Sequence, residues 1–261
     1  MQNTDQINTI VIGGGNQGDT GAPGKNGISG VNSPENDTGQ PGTNGGYEKS
    51  IWGGTCIPAT NGTKGADGET EGTDGDTGGT GGTPYPFTMN VDTFTFPNGG
   101  VMNIVSNGGK GGTGGPGGHG GDGDVGGNAG DTDGNVDKDY EKNCLAKKSN
   151  CPPALGGDGG NGTIAGMGGK GGTGGDGGLI TIFYKNGNNI NQVVGYVQAG
   201  GPGDPGEGGT SGTGGKGGKN EIFPKGSPQT YAFKGKTPPP PGDKGGGKTG
   251  KAGSIVLHQM T

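Results

Sequence analysis

The chain has 261 residues, of which 75 are glycine and only 23% are hydrophobic, and its formal net charge is −6. So little apolar surface excludes a conventional hydrophobic core. All 18 basic residues are lysines scattered among acids, which argues against a nucleic-acid surface, where arginines and basic stripes are expected. We expect neither a membrane span nor a signal peptide, since the sequence has no long apolar run and does not start with a basic segment followed by an apolar one.

Short apolar runs rich in β-branched residues recur along the chain, and each predicts a strand. The first, INTIV, precedes a glycine-rich tract. The alternating stretch FTMNVDTFTF, in the segment after the second tract, is not one of these runs, and we interpret it as a buttress for the tract ends in preference to a binding segment. The remaining runs, each at one end of a tract, are VMNIV, LITIFY, QVVGYV and SIVLH. This regular alternation of strand and tract argues against a disordered linker.

Glycine-rich tracts alternate with segments of ordinary composition, and we interpret residues 1–261 as a single elongated domain. The expected tracts are residues 13–46, 62–83, 108–134, 156–178, 200–219 and 241–253. The expected connecting loops are residues 47–61, 84–107, 135–155 and 220–240. Because glycine or proline interrupts nearly every window of the sequence, we expect essentially no α-helix.

A three-residue period dominates the tracts. Residues 108–122 are five consecutive Gly-Gly-X triplets, and GGKGGTGG occurs both at 108–115 and at 168–175. A helix of the polyproline II type has three residues per turn, so all side chains of such a tract lie on one edge. The other two edges are bare backbone, whose N–H and C=O groups need partners. Glycine at two positions in three lets neighbouring backbones approach and supply those partners.

The sequence therefore predicts a bundle, or sandwich, of roughly seven or eight polyglycine II helices with short β-strands and connecting loops. Gly-Gly-X tracts expose one edge and are expected in the middle of a layer. Gly-X-Y tracts, such as residues 18–30, are expected at its side. Collagen also has glycine at every third position, but it requires long, proline-rich repeats. The tracts here last four to seven triplets, which favours the bundle.

Nothing in the sequence predicts an enzyme, a cofactor site or a metal site. Residues 242–249, GDKGGGKT, match the phosphate-loop pattern, but such a loop follows a hydrophobic strand, whereas this stretch follows four prolines. His119 and His258 have no recognisable nucleophile beside them and are expected to be structural. A zinc site needs more ligands at suitable spacing than the chain offers.

The chain has three cysteines. Cys144 and Cys151 are seven residues apart in one expected loop, close enough to form a disulfide if the loop folds back. Two free thiols fit this spacing equally well. Cys56 is left over in either case.

The connecting segments hold the only tryptophan and nearly all other aromatic residues. Aromatic side chains in loops on a rigid scaffold are typical binding residues. They are also typical of a cap that covers the ends of the tracts. The candidate receptor contacts are Tyr47, Trp52, Tyr140, Phe223, Tyr231 and Phe233.

Glycine-rich tracts that alternate with aromatic-bearing loops resemble the tip adhesins of T-even-type bacteriophage long tail fibres. The motifs GGKGGTGGPGGHGG and GGKGGTGGDGG carry this resemblance, which covers roughly residues 13–253. It implies a polyglycine II sandwich that displays receptor-binding loops. It also implies a non-enzymatic virion component, made in the cytoplasm and acting outside the cell. The implied partners are a bacterial surface receptor, protein or glycan, and a fibre protein, with no nucleic acid and no membrane insertion.

Two other functions remain open. A structural subunit of a virion or an extracellular filament would use the bundle for stiffness. Its edge strands, residues 7–12 and 254–258, would pair between copies and form a homo-oligomer. An antifreeze protein would use the flat edge of Thr77, Thr80 and Thr83, but charged residues interrupt such a face in the other tracts.

Overall fold

The computed structural model describes residues 7–11, 15–18, 21, 27, 39–96, 99–132, 137–146, 151–224 and 226–261. Much of the first expected tract, residues 13–46, lies outside these ranges. Helix within them is limited to one α-helical turn, Lys138–Tyr140 (α1), a π-helical turn that follows it, Glu141–Leu145, and a 3₁₀ turn, Ile190–Gln192. The prediction of essentially no α-helix is confirmed. None of these described turns is long enough to cross a bilayer.

The described strands form three small sheets. Their bounds are Ile7–Val11 (β1), Gly46–Ser50 (β2), Gly53–Ile57 (β3), Phe87–Thr93 (β4), Val101–Val105 (β5), Leu179–Asn186 (β6), Val193–Tyr196 (β7) and Ser254–Gln259 (β8). Strands β1, β5 and β7 form one parallel sheet around β5, and β4, β6 and β8 form another around β6. Strands β2 and β3 pair as an antiparallel hairpin.

The two three-stranded sheets pack against each other around the main apolar core. Ile104 of β5 and both Ile180 and Ile182 of β6 are fully buried there. Phe94, which lies between β4 and β5, is buried in the same cluster. Alternation along β6 brings its two isoleucines to one face, and β-branched side chains pack well on such a pleated surface. The apolar runs of the sequence thus build a small local core at one end of the molecule, so the expectation that a conventional core is excluded holds for the tracts and not for the sheets.

The described glycine-rich residues form six tracts that continue these sheets. Tracts 1, 3 and 5 follow β1, β5 and β7, while tracts 2, 4 and 6 precede β4, β6 and β8. Odd-numbered tracts therefore run one way and even-numbered tracts the other. As far as described, their residues are 15–42 (tract 1), 60–83 (tract 2), 106–130 (tract 3), 154–178 (tract 4), 198–219 (tract 5) and 230–253 (tract 6).

Backbone hydrogen bonds link neighbouring tracts at every third residue. In tract 4, Gly169, Gly172 and Gly175 each donate an N–H to a carbonyl oxygen of tract 3 at 2.8 Å. The glycine before each of them faces tract 6 instead, where Gly174 donates to the Lys248 carbonyl oxygen at 2.8 Å. Odd tracts bond into one layer and even tracts into another. Tracts 3 and 4, which hold the Gly-Gly-X repeats, lie in the middle of these layers, as their repeat predicts.

The close approach of the tracts explains why two positions of each triplet are glycine. A Cβ on Gly111 would lie 2.1 Å from the Gly172 carbonyl oxygen, and a Cβ on Gly172 would lie 2.0 Å from the Gly79 carbonyl oxygen. Neither carbonyl oxygen can move away from such a Cβ without breaking the hydrogen bond that it already accepts from another tract. The third position of the triplet faces outward, and Lys170 and Thr173 are exposed there.

Polar side chains at outward positions complete the bonding within each layer. Asp74 of tract 2 accepts a hydrogen bond from the Met167 N–H of tract 4 at 2.8 Å. In the other layer, Asp122 of tract 3 accepts from the Thr213 N–H of tract 5 at 2.7 Å. The carboxylate takes the place of a carbonyl that the neighbouring tract cannot supply. These acids therefore have a structural role in addition to any solvent contact.

The described residues form six tracts. The structure corrects one expectation about their bounds. Residues 230–240, expected to be part of a loop, belong to tract 6, where Gly235 donates to the Gly215 carbonyl oxygen at 2.8 Å. Pro239 of the same stretch accepts from the Ser211 hydroxyl at 2.8 Å. Proline can replace glycine here because its fixed φ of about −65° suits an extended backbone, and tract 6 lies at the edge of its layer.

Candidate binding surface

Three connections between tracts meet at the end of the bundle opposite the two three-stranded sheets. They are residues 43–59, 131–153 and 220–229, as far as described, and we call them together the cap. They share this end because tracts 1, 3 and 5 run in parallel and all finish there. The remaining expected loop, residues 84–107, lies at the sheet end and contributes β4 and β5.

The cap has a small apolar core of its own. The Tyr140 ring lies in it, and the Tyr140 hydroxyl accepts a hydrogen bond from the Ala59 N–H at 3.0 Å. Burial raises the pKa of Tyr140, so this hydroxyl stays protonated. A fully buried ring cannot contact a receptor, so the prediction that Tyr140 does so is wrong, and its role is to support the cap. The other members of the core are Cys144, Leu145 and Cys151, with Tyr47, Cys56 and Phe223 packed against them.

A disulfide joins Cys56 of β3 to Cys144 of the π-helical turn. This pairing differs from both alternatives that the sequence left open, a Cys144–Cys151 disulfide or two free thiols, each with Cys56 unpaired. Cys151 is instead a buried free thiol, and the three sulfur atoms lie within 4.8 Å of one another. Spacing along the chain indicated only the local pair, but the cap brings together segments that are 88 residues apart. The disulfide ties the first connection of the cap to the second.

Three of the other five candidate contacts are well exposed. Trp52 is 93% exposed, Tyr231 60% and Phe233 82%. Tyr47 and Phe223 are half-buried against the core of the cap. The exposed three therefore stay candidates for receptor contact, and the half-buried two stay candidates with the part of each ring that is not packed against the core of the cap.

The turn of the β2–β3 hairpin presents two large apolar side chains, Ile51 and Trp52, which we call the hairpin tip. Each of them is 93% exposed. The Ser50 hydroxyl closes the turn by donating to the Gly53 carbonyl oxygen at 2.7 Å, and Gly53 has a φ of 133°, where a side chain would be strained. Exposed apolar surface on such a protrusion is typical of an interaction site. Ile51 is not among the contacts predicted from the sequence, although the apolar pair in SIWGG could have indicated it.

Glu221 is a buried carboxyl group where the third connection of the cap meets tract 4. Its Oε2 atom accepts from the Ala154 N–H at 2.6 Å, while its Oε1 atom has no hydrogen-bond partner among the described residues. Burial raises the pKa of Glu221 above its ordinary value, against the opposing effect of the Ala154 N–H. Folding therefore favours the protonated form of this side chain.

We expect the free energy of unfolding to fall as the pH rises through the pKa of folded Glu221. The unfolded carboxyl ionises near 4.5, whereas the folded chain keeps the proton to higher pH. The stability that the raised pKa provides is therefore complete below the unfolded pKa and lost above the folded one. Glu221→Gln removes this titration, so its stability should vary less with pH on the alkaline side of 4.5. Urea unfolding of both proteins across this range measures the difference, and parallel curves would contradict the expectation.

No known protein family matches this chain, and no curated protein matches it either. Among solved structures, it has a weak likeness to a springtail antifreeze protein from Granisotoma rainieri, described as a bundle of nine polyproline type II helices. The sequence identity is 20%, and the match covers 74% of this chain and 96% of the springtail protein, with a TM-score of 0.11. With a TM-score this low, the likeness supports no conclusion about fold or function.

Proposed function

We propose that this protein is a non-enzymatic adhesion protein whose cap binds a receptor on a bacterial surface. In this proposal the six tracts are polyglycine II helices that pack as two layers of three and form a rigid stalk. The observation that carries the proposal is the hairpin tip, where Ile51 and Trp52 are exposed on a cap that a disulfide holds together.

The hydrogen bonds between tracts support the polyglycine II assignment. A helix of the polyproline II type makes no internal hydrogen bonds and has three residues per turn, so its neighbours must provide partners at every third residue. Gly203, Gly206 and Gly209 of tract 5 follow this rule, since they donate in turn to carbonyl oxygens of tract 4 at 2.8, 2.8 and 2.9 Å. Such bonds also offset the large conformational entropy that glycine loses on folding.

The fixed position of the cap supports a role in recognition. The Cys56–Cys144 disulfide joins two of its connections, and the bond from the Ala154 N–H to Glu221 joins the third connection to tract 4. A binding surface that is ordered before its partner arrives loses less conformational entropy on binding. The cap is therefore better suited to recognition than a set of unconnected loops would be.

Attachment to a virion is the part of the proposal that rests on the resemblance to phage tail-fibre tips. In this reading the cap faces the bacterium and the sheet end faces the fibre. The sheet end suits that role because β4 and β8 lie at the edges of their sheet, where a partner strand can pair.

A structural subunit of a virion or filament is the second candidate function, and the edge strands favour it. Val11 of β1, Val194 of β7 and Leu257 of β8 are exposed apolar residues on strands at the edges of their sheets. Such an edge pairs readily with a second copy of the chain. Sedimentation that shows concentration-dependent assembly, without binding to any cell, would favour this candidate over the adhesion protein.

The hairpin tip provides the direct test of adhesion. We expect Ile51→Ser/Trp52→Ser to weaken binding to a susceptible bacterial strain by at least about tenfold, because apolar anchors at the centre of an interface carry most of its energy. Labelled protein and flow cytometry on a panel of strains measure this change. Both positions are exposed, so the fold should tolerate the substitutions.

Tyr85→Ser is the matched control for that experiment. Tyr85 is 88% exposed and precedes β4, at the opposite end of the bundle. Its replacement removes a similarly exposed aromatic ring far from the cap and should leave cell binding within about twofold of the unmodified protein. Equal losses from both variants, or no binding to any strain, would contradict the proposed role of the cap.

A further inference from the structure

A groove opens beside the cap, where the end of tract 5 lies against the start of tract 6. The two tracts are joined there by a hydrogen bond from the Ala232 N–H to the Gly218 carbonyl oxygen at 2.9 Å. The volume of the groove, about 390 Å³, lies in the range of small-molecule sites. It is lined by Lys216, Gly217, Tyr231, Ala232 and Lys234.

Two lysines, Lys216 and Lys234, line this groove although the whole chain has a formal net charge of −6. The described part of residues 216–236 contains four lysines and one acid, Glu221. Glu221 is buried and its pKa is raised, so it offsets little of the charge of these lysines. From tract 4, the Asp158 carboxylate approaches the same stretch and accepts a hydrogen bond from the Phe233 N–H at 3.1 Å. In the described part of the chain, ion pairs engage five other lysines, and neither Lys216 nor Lys234 belongs to one of them.

The groove combines a flat aromatic ring with two ammonium groups. Tyr231 is 60% exposed and offers both an apolar face and a hydroxyl. The stems of Lys216 and Lys234 add apolar wall, while their charged heads remain in water. An ammonium group binds a carboxylate or phosphate oxygen through a charge-assisted hydrogen bond. A sugar ring with an acidic substituent presents both an apolar face and such an oxygen.

We propose that this groove binds an acidic saccharide, with the sugar ring against Tyr231 and its carboxylate or phosphate between Lys216 and Lys234. The inference rests on the proposed adhesion function and names the class of receptor, an anionic surface glycan. It also gives tract 6 a second role, because the tract forms one wall of the groove as well as the edge of its layer.

Two other anionic partners match the groove less well. A nucleic acid would be repelled by the acidic chain as a whole, and the sequence has no arginine to clamp its phosphates. An acidic peptide would bind best by adding a strand to a free backbone edge, but the Ala232 N–H at this edge already donates to Gly218. Both partners become outcomes of the test.

Isothermal titration with defined saccharides tests the proposal. Trigalacturonic acid supplies carboxylates and glucose 6-phosphate supplies a phosphate, so the two arms distinguish the sources of charge. We expect at least one of them to bind, and the uncharged counterpart, methyl-esterified trigalacturonate or glucose, to bind at least about tenfold more weakly. Equal binding of the charged and uncharged sugars would overturn the proposal, as would equal binding of a tetraglutamate peptide or a short oligonucleotide.

Three variants locate the binding in the groove. Lys216→Gln/Lys234→Gln and Tyr231→Ala should each weaken binding of the acidic sugar by at least about tenfold. Lys170→Gln/Lys248→Gln makes the same change of net charge at exposed positions elsewhere and should leave binding within about twofold. Unchanged thermal unfolding verifies that each variant folds. A control variant that loses as much affinity would show a diffuse charge effect and overturn the site.

The outcomes separate this inference from the proposed function. Cell binding that depends on the hairpin tip, with no saccharide bound in the groove, would remove only the inference. Saccharide binding in the groove, with no binding to cells, would remove the adhesion function and leave the groove as a sugar site.

Discussion

Gly200→Ala is expected to lower the free energy of unfolding by at least about 3 kcal/mol, whereas Gly201→Ala, one residue further, should change it by less than about 1 kcal/mol. A Cβ on Gly200 would lie 1.9 Å from the Gly109 carbonyl oxygen and 2.9 Å from the Gly175 nitrogen. Those two backbone groups are bonded to each other at 2.8 Å, so neither can move aside without breaking that bond. A Cβ on Gly201 meets nothing within 4 Å.

The two neighbouring glycines make a controlled comparison. Both substitutions restrict the unfolded chain in the same way, so this contribution cancels in the difference. The remaining difference reports the contact between tracts alone. Urea unfolding followed by circular dichroism measures both values. If Gly200→Ala proved as harmless as Gly201→Ala, the tracts would not be packed backbone against backbone, and the whole architecture would have to be reconsidered.

Removal of the Cys56–Cys144 disulfide is expected to cost about 2–4 kcal/mol of stability, because it closes a long loop and so constrains the unfolded chain. The two cysteines are 88 residues apart. A single Cys56→Ala change is ambiguous, because Cys151 lies close enough for its sulfur to pair with the Cys144 thiol that is left. The comparison is therefore between Cys151→Ala, which keeps the observed disulfide, and Cys56→Ala/Cys151→Ala, which has none.

Peptide mapping under non-reducing conditions provides an independent check of this disulfide. The unmodified protein should yield one linked peptide pair that contains Cys56 and Cys144. The same mapping of Cys151→Ala should give the identical pair. A linked pair of Cys144 and Cys151 in the unmodified protein would contradict the structure, and equal stability of the two variants would show that the disulfide adds nothing to the fold.

The tracts could be predicted from the sequence because close backbone packing leaves a local trace. Each Gly-Gly pair in residues 108–122 marks two edges on which a neighbouring backbone lies, and the triplet period appears in the sequence before any contact is known. Strands β1, β5, β6, β7 and β8 could be predicted for a similar reason, since their apolar β-branched runs are local too. The β2–β3 hairpin could not, because its residues have no such run and were expected to form a loop. The proline run could not be assigned to tract 6 from the sequence. It belongs to that tract because of its hydrogen bonds to tract 5, and those bonds do not depend on a glycine repeat.

The cap could be predicted only in part because its contacts join residues far apart in the chain. Trp52 and Tyr140 look alike in the sequence, as single aromatic residues in polar segments. Their burial differs. Gly45 leaves room for the Tyr140 ring, and the Ala59 N–H donates to its hydroxyl, whereas Trp52 lies exposed in a two-residue turn. The cysteine pairing could not be predicted for the same reason, since it depends on which connections lie at the same end of the bundle.

The alternating direction of the tracts has a consequence for how such a molecule can change. Because the part of the bundle between its two ends is mostly main chain, a new connection at the capped end has to fit the small apolar core of the cap but no side chains between the tracts. It must also bring the next tract back in register, so that a glycine N–H at every third residue donates to a carbonyl oxygen of the neighbouring tract. Such an architecture allows loops to be lengthened, shortened or exchanged while the frame that bears them is inherited intact.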